Sequence, residues 1–134
     1  MTIRGLNHVT LATADLDASV AFYRDTLGLT LDHFWPGGAY FSAGALWLCL
    51  SLDPDAAPTG DYSHIALDVT PQDFDGLAAR IRASGATLWK ANRSEGASLY
   101  FTDPSGHKLE LHVGSLASRM AALVHSASGV PCCS

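Results

Sequence analysis

The sequence predicts a small α+β protein made of two βαβββ halves, and three observations predict it. The order strand, helix, strand, hairpin can be read twice along the 134 residues. A histidine stands at the same point of both first strands, and the segment joining the halves carries two prolines and a glycine.

Module one covers residues 4–52. Leu6-Asn7-His8-Val9-Thr10-Leu11 alternates like a strand, and Asp15 to Leu27 has helical spacing through Leu16, Val20, Phe22, Tyr23 and Leu27. Gly28 stops that helix, Leu29 to Phe34 is extended, and Gly37-Gly38 makes a turn. Residues 39–42 and 45–52 then pair as a hairpin around Gly44. Residues 53–60 are the linker.

Module two, residues 61–114, repeats the order. Tyr62 to Leu67 is a strand, Pro71 opens a helix to Ser84, and Gly85 stops it. Residues 86–90 are extended, 92–97 loop, and 98–102 and 108–113 form a hairpin across Asp103-Pro104-Ser105-Gly106. A C-terminal helix and tail occupy 115–134. Superposing the halves places His8 over His64, Tyr40 over Tyr100, and Leu48 roughly over Glu110.

Composition narrows the function classes. The chain is 48% apolar with a formal charge of −5, which gives it a core and argues against nucleic acid as a partner. It has no apolar run of the roughly 20 residues a membrane helix needs, and its N-terminus lacks a signal peptide, so a cytoplasmic protein is expected. Three cysteines, two of them adjacent (Cys132 and Cys133), make a poor disulfide framework. Cys49 is read as a reduced core or pocket residue, and the tail pair as incidental.

The chemistry gathers on His8, His64 and Glu110. Glu110 is a charge set between Leu109 and Leu111, one of only two glutamates in the chain. In a curled βαβββ module the first and last strands lie side by side, so His64 and Glu110 can face each other. Two modules paired about a pseudo-twofold bring His8 to the same centre. Two imidazoles and one carboxylate leave open positions on a divalent metal, as catalytic sites do. The set suits Mn²⁺, Fe²⁺, Zn²⁺ or Ni²⁺ alike. His33, His107 and His125 read as surface residues, and His112 as a neighbour of the site.

These residues carry a resemblance. The motifs are Gly5 to Ala12, Gly38-Ala39-Tyr40, Leu46 to Ser51, Asp61 to His64, Trp89 to Phe101 and Asp103 to Gly114. Through them the chain resembles the vicinal oxygen chelate superfamily and, within it, fosfomycin-resistance glutathione transferases of the FosA type. The resemblance implies a module-swapped homodimer in which His8 of one subunit meets His64 and Glu110 of the other. It further implies Mn²⁺ at that centre, K⁺ held by a loop with Asn92, Glu95, Gly96 and Ser98, and glutathione as thiol donor to the fosfomycin epoxide.

A buried phosphonate dianion needs fixed cations and donors. Lys90, Arg93 and Arg119 can supply charge, and Thr10, Ser94, Ser98 and Tyr100 hydroxyls. Tyr40, Trp47 and Cys49 would wall the carbon end of a small substrate. Thr10, two residues after His8, shares its face and is the candidate to orient or deprotonate the thiol.

Other functions stay in view. A glyoxalase-like isomerase or lyase usually has a fourth protein ligand, and the position read as its repeat equivalent is Leu48. A transferase using bacillithiol or cysteine differs in its thiol. A metal-independent hydrolase of the epoxide would want a further carboxylate near the pocket, and residues 38–52 contain none. A non-catalytic antibiotic-binding protein of the same fold would lack the three ligands. Pro36-Gly37 and Ile65 depart from the family pattern and leave room for a related small epoxide or phosphonate.

Overall fold

The computed structural model describes residues 2–125, so the Cys132-Cys133 pair lies outside the described residues. The chain divides into two compact units. Of the described residues, one unit takes those up to Asp61 together with Asp103–His107, and the other takes Tyr62–Thr102 and those from Lys108 to His125.

The first unit contains β1 (Val9–Thr13), α1 (Leu16–Ala21), β2 (Thr30–Trp35), β3 (Gly38–Ala43) and β4 (Leu46–Leu52). Its sheet order is β1-β4-β3-β2, with β1 parallel to β4 and the other pairs antiparallel. Asp15 starts α1 by accepting the Ala18 N–H. The expected continuous helix to Leu27 is instead α-helical to Ala21 and a π-turn over Phe22–Thr26, where Leu27 N–H donates to the Phe22 carbonyl. The wider turn buries the successive rings of Phe22 and Tyr23.

The β2–β3 turn is Pro36-Gly37, one residue earlier than expected, because Trp35 pairs with Gly38. β1 starts at Val9, where pairing with Leu48 begins, so His8 stands immediately before it. One face of the sheet buries Ala39, Phe41, Leu48 and Leu50. Burying each such large side chain contributes about 1.5–3 kcal/mol. A helix cap contributes about 1 kcal/mol. Face matching therefore dominates how α1 sits on the sheet.

A polar network is buried in this unit. The Asp103 carboxylate accepts the Tyr23 hydroxyl at 2.7 Å and the backbone N–H groups of Ser105 and His107, both at 2.9 Å. Thr13, Ser19 and Ser105 share hydrogen bonds through their hydroxyls. His107 Nε2 lies 2.7 Å from the Ala12 carbonyl. His107 is thus half-buried rather than a surface residue, because the turn that carries it packs within this unit.

The second unit repeats the architecture with β5 (Ile65–Asp68), α2 (Pro71–Ala83), β6 (Leu88–Lys90), β7 (Ser98–Thr102) and β8 (Lys108–His112), followed by α3 (Leu116–Val124). The order is β5-β8-β7-β6, with β5 parallel to β8. Thr70 caps α2 ahead of Pro71, and Gly85 at φ 81°, like Gly28 at 79°, ends a helix in the conformation glycine adopts without strain. Ala78 and Ile81 of α2 are buried, as are Leu99, Phe101, Leu109 and Leu111 of the sheet.

The registers correct one alignment. Val9 pairs with Leu48 and Ile65 with Leu109, so with His8 over His64 the repeat equivalent of Glu110 is Cys49, not Leu48. Among the described residues no helix is long and apolar enough to cross a membrane.

Candidate active site

Cross-strand pairing builds one row of functional side chains in each unit. In the second unit Ala66 pairs with Glu110, Glu110 with Tyr100, and Tyr100 with Lys90, so the four lie side by side across the sheet. In the first unit the corresponding row is Thr10, Cys49, Tyr40 and His33. Trp47 flanks that row, 4.5 Å from the His8 ring and 5.7 Å from the Tyr40 ring. Cys49 is buried and, among the described residues, in no disulfide.

Glu110 is buried, and its two oxygens have different partners. Oε2 accepts the Ser98 hydroxyl at 2.7 Å, and Ser98 Oγ lies 2.6 Å from His112 Nδ1. Because the serine hydrogen is given to the carboxylate, the histidine must be the donor to Oγ. Oε1 faces His64 Nε2 at 3.1 Å.

The His64 ring has a second contact that fixes its tautomer. Nδ1 lies 2.9 Å from the Tyr62 carbonyl, which can only accept, so Nδ1 carries a hydrogen. In the neutral ring, Nε2 then turns a lone pair toward a carboxylate oxygen. Two facing acceptors call for an electrophile between them, a proton or a metal cation. His8 shares the first of these contacts: its Nδ1 lies 2.7 Å from the side-chain carbonyl oxygen of Asn7. A ring nitrogen bound to a carbonyl, with the other turned outward, is the usual arrangement of a metal-ligating histidine. The donors therefore fit a divalent cation. His64 and Glu110 belong to the second unit and His8 to the first, and among the described residues no three His, Cys, Asp or Glu side chains gather into a metal-type cluster.

Lys90 is held by aromatic groups. Its ammonium donates to the Tyr62 hydroxyl and stands 4.8 Å from the ring centres of both Tyr62 and Tyr100. The Tyr62 hydrogen bond is the main cause that raises its pKa above the usual lysine value.

A cleft of about 270 Å³ is lined by Tyr62, His64, Ser94, Tyr100, Glu110 and Arg119, among others. It joins five of the residues picked from sequence. The expected strand from Tyr62 begins only at Ile65, so Tyr62 and His64 lie in the segment just before β5, and the sequence reading gives Tyr62 no role in the site. Arg93 is exposed and does not line this cleft.

The Asn92–Ser98 loop is closed on itself. Asn92 Nδ2 donates to the Gly96 carbonyl at 2.8 Å, and Asn92 Oδ1 accepts the Ser94 N–H and hydroxyl, both at 3.1 Å. Gly96 has φ 81°, and a Cβ there would fall 2.2 Å from the Val113 carbonyl oxygen, so only glycine fits. Glu95 accepts from Ser118 at 3.2 Å and from Arg119 Nε at 3.4 Å, which ties the loop to α3.

Comparison with known proteins shows the family to which the chain belongs. The Glyoxalase/Bleomycin resistance protein/Dioxygenase superfamily profile matches residues 5–111. The chain is 52% identical to the glutathione transferase FosA of Serratia marcescens, over 90% of this chain and 88% of that one. It is 34% identical to the metallothiol transferase FosB of Shouchella clausii, over 89% and 86%. Among solved structures, it is similar to a mutant of the fosfomycin resistance protein FosX from Listeria monocytogenes, complexed with Mn(II) and 1S,2S-dihydroxypropylphosphonic acid. The TM-score is 0.79 at 30% identity, over 90% of this chain and 99% of that one. The chain belongs to the Glyoxalase/Bleomycin resistance protein/Dioxygenase superfamily and, within it, to the fosfomycin-resistance family of FosA and FosB.

Proposed function

We propose that this protein is a Mn²⁺-dependent glutathione transferase that inactivates fosfomycin by opening its epoxide. The observation that carries the reading is one cleft in which the facing acceptors of His64 and Glu110 stand beside Tyr100 and Arg119, with Lys90 next in the strand row. A site for a divalent cation therefore adjoins fixed positive charge, the pairing that a phosphonate with a neighbouring epoxide oxygen requires. The 52% identity to a glutathione transferase points to glutathione as the thiol.

His64 and Glu110 of one protomer and His8 of a second hold the metal in this reading, so the protein works as a homodimer. When bound, that cation supplies Lewis-acid polarisation of the epoxide oxygen. Lys90, Arg119, Ser94 and Tyr100 bind the phosphonate by charge-assisted hydrogen bonds. Arg93 adds charge at the rim. Ser98 and His112 orient Glu110, and Thr10 of the second protomer, two residues after that protomer's His8, orients the incoming thiol or takes its proton. Tyr40, Trp47 and Cys49 of the second protomer, which share a sheet with its Thr10, enclose the carbon end. In the reaction the thiolate sulfur bonds to an epoxide carbon, that carbon's C–O bond breaks, and the released oxygen takes up the proton the thiol lost. The oxygen-rich loop of Asn92, Glu95, Gly96 and Ser98 suits K⁺, a hard cation that prefers such donors.

The test is incubation of the Mn²⁺-loaded protein with glutathione and fosfomycin, read by mass spectrometry. A glutathione–fosfomycin adduct is the expected product. A dihydroxypropylphosphonic acid, the compound bound in the similar FosX structure, would make water the nucleophile instead. Unchanged fosfomycin with retained metal would point to the isomerase or lyase reading. Binding with no metal uptake would fit an antibiotic-sequestering protein.

A further inference from the structure

The geometry points to Tyr62 as the positioning residue of this site, joining its metal-binding and anion-binding halves. The inference rests on the reading of Lys90 as a phosphonate ligand.

Three contacts from one residue carry it. The Tyr62 carbonyl accepts the His64 Nδ1 hydrogen, which turns the bare Nε2 toward Glu110. Its hydroxyl accepts the Lys90 ammonium. Its ring stands 5.0 Å from the His64 ring and edge-on to Trp89 at 5.7 Å. Trp89 is a fixed wall, because its indole N–H is shared between the Phe101 and Leu109 carbonyls at 3.0 and 3.1 Å. Tyr62 thus leans on an anchored indole and reaches both functional groups from an otherwise half-open position.

The two handles are chemically separable. The carbonyl belongs to the backbone and survives any side-chain change. The hydroxyl belongs only to tyrosine. A free lysine side chain loses rotamer entropy when it meets an anion. Tyr62 and Tyr100 bear that ordering beforehand by holding the ammonium between two rings and a hydroxyl. Lys90 meets the phosphonate alike in the ground state and during ring opening, so its placement acts on KM rather than kcat.

The test uses Tyr62→Phe, Lys90→Met and the double variant as Mn²⁺-loaded full-length protein. Fosfomycin binding is measured calorimetrically without glutathione, alongside a Mn²⁺ titration and steady-state rates. Tyr62→Phe is expected to raise fosfomycin Kd and KM about tenfold, as for a lost charge-assisted hydrogen bond. Its Mn²⁺ affinity should stay within about twofold, and kcat within about threefold, because the carbonyl is untouched. In the Lys90→Met background the second change should add nothing. An equal loss in both backgrounds would make Tyr62 a direct substrate contact and overturn the inference. So would unchanged binding in Tyr62→Phe, or in Lys90→Met, whatever the first variant's folding. A wild-type protein that binds no fosfomycin would instead overturn the functional reading itself.

Discussion

The Ser98 hydroxyl lies 2.7 Å from Glu110 Oε2, and its one hydrogen is committed to that carboxylate. Ser98 therefore acts on the proposed metal ligand. Removing a partner of a metal ligand typically lowers affinity ~10–100-fold. Ser98→Ala should weaken Mn²⁺ binding by that amount in a chelator-competition titration. If Mn²⁺ affinity is unchanged while fosfomycin binding falls, Ser98 is a substrate donor after all.

Thr10 allows proton transfer to be separated from binding. Thr10→Val keeps the β-branched shape in β1 and deletes only the hydroxyl. Turnover is expected to fall roughly 10²–10⁴-fold, the range for a lost proton-transfer group, with metal binding near normal. A loss of less than about tenfold, the scale of one ordinary hydrogen bond, would reduce Thr10 to orienting the thiol.

Exchanging Na⁺ for K⁺ at constant ionic strength should raise the rate if the Asn92–Ser98 loop holds K⁺. Asn92→Ala removes both the Gly96 clamp and the acceptor for Ser94, and should abolish that response. Equal rates of the wild-type enzyme in the two salts would remove K⁺ from the reaction.

Tyr23 gives a stability signature at high pH. Burial, and then the Asp103 carboxylate, raise its pKa well above the usual tyrosine value. The folded state therefore holds the proton that the unfolded chain releases near pH ~10. The contribution is present below that pH and is lost as pH rises above it. Wild type should lose stability in alkali more steeply than Tyr23→Phe in denaturant titrations. At neutral pH the same variant should be less stable by about 1–3 kcal/mol, because Asp103 Oδ2 loses its donor inside the core. Parallel stability curves across the alkaline range would show that the pair is not coupled.

The duplicated architecture was legible because apolar alternation and glycine stops mark both halves alike. His8 and His64 showed themselves through that repeat, and Glu110 through its leucine neighbours. The one-residue register error at Cys49 has a physical origin. Leu46 to Leu52 is a nearly continuous apolar run, and both Leu48 and Cys49 are buried, so no polar residue marks which face is which. The π-turn at Phe22 leaves the apolar spacing almost unchanged. His107 read as a surface residue, and Asp103 only as part of a hairpin turn, because nothing local reveals the distant Ala12 carbonyl that meets the one or the Tyr23 hydroxyl that meets the other. Tyr62 stands two residues before His64 in a segment that is not a strand, and its role depends on Lys90, 28 residues away.

The assignment of Asp103–His107 to the first unit changes what the duplication means. By descent the chain looks like two interchangeable copies, yet the first copy takes the acceptor for its most buried tyrosine from the hairpin of the second. A fragment ending at the linker would keep every strand and helix of module one, yet it would leave the Tyr23 hydroxyl without Asp103 and take Ser105 from the Thr13–Ser19 pair. The halves have therefore lost the independence a duplicated ancestor would have had. Splitting the gene between them should yield pieces that refold only together, and a cut within 103–107 should be tolerated less well than one in the linker.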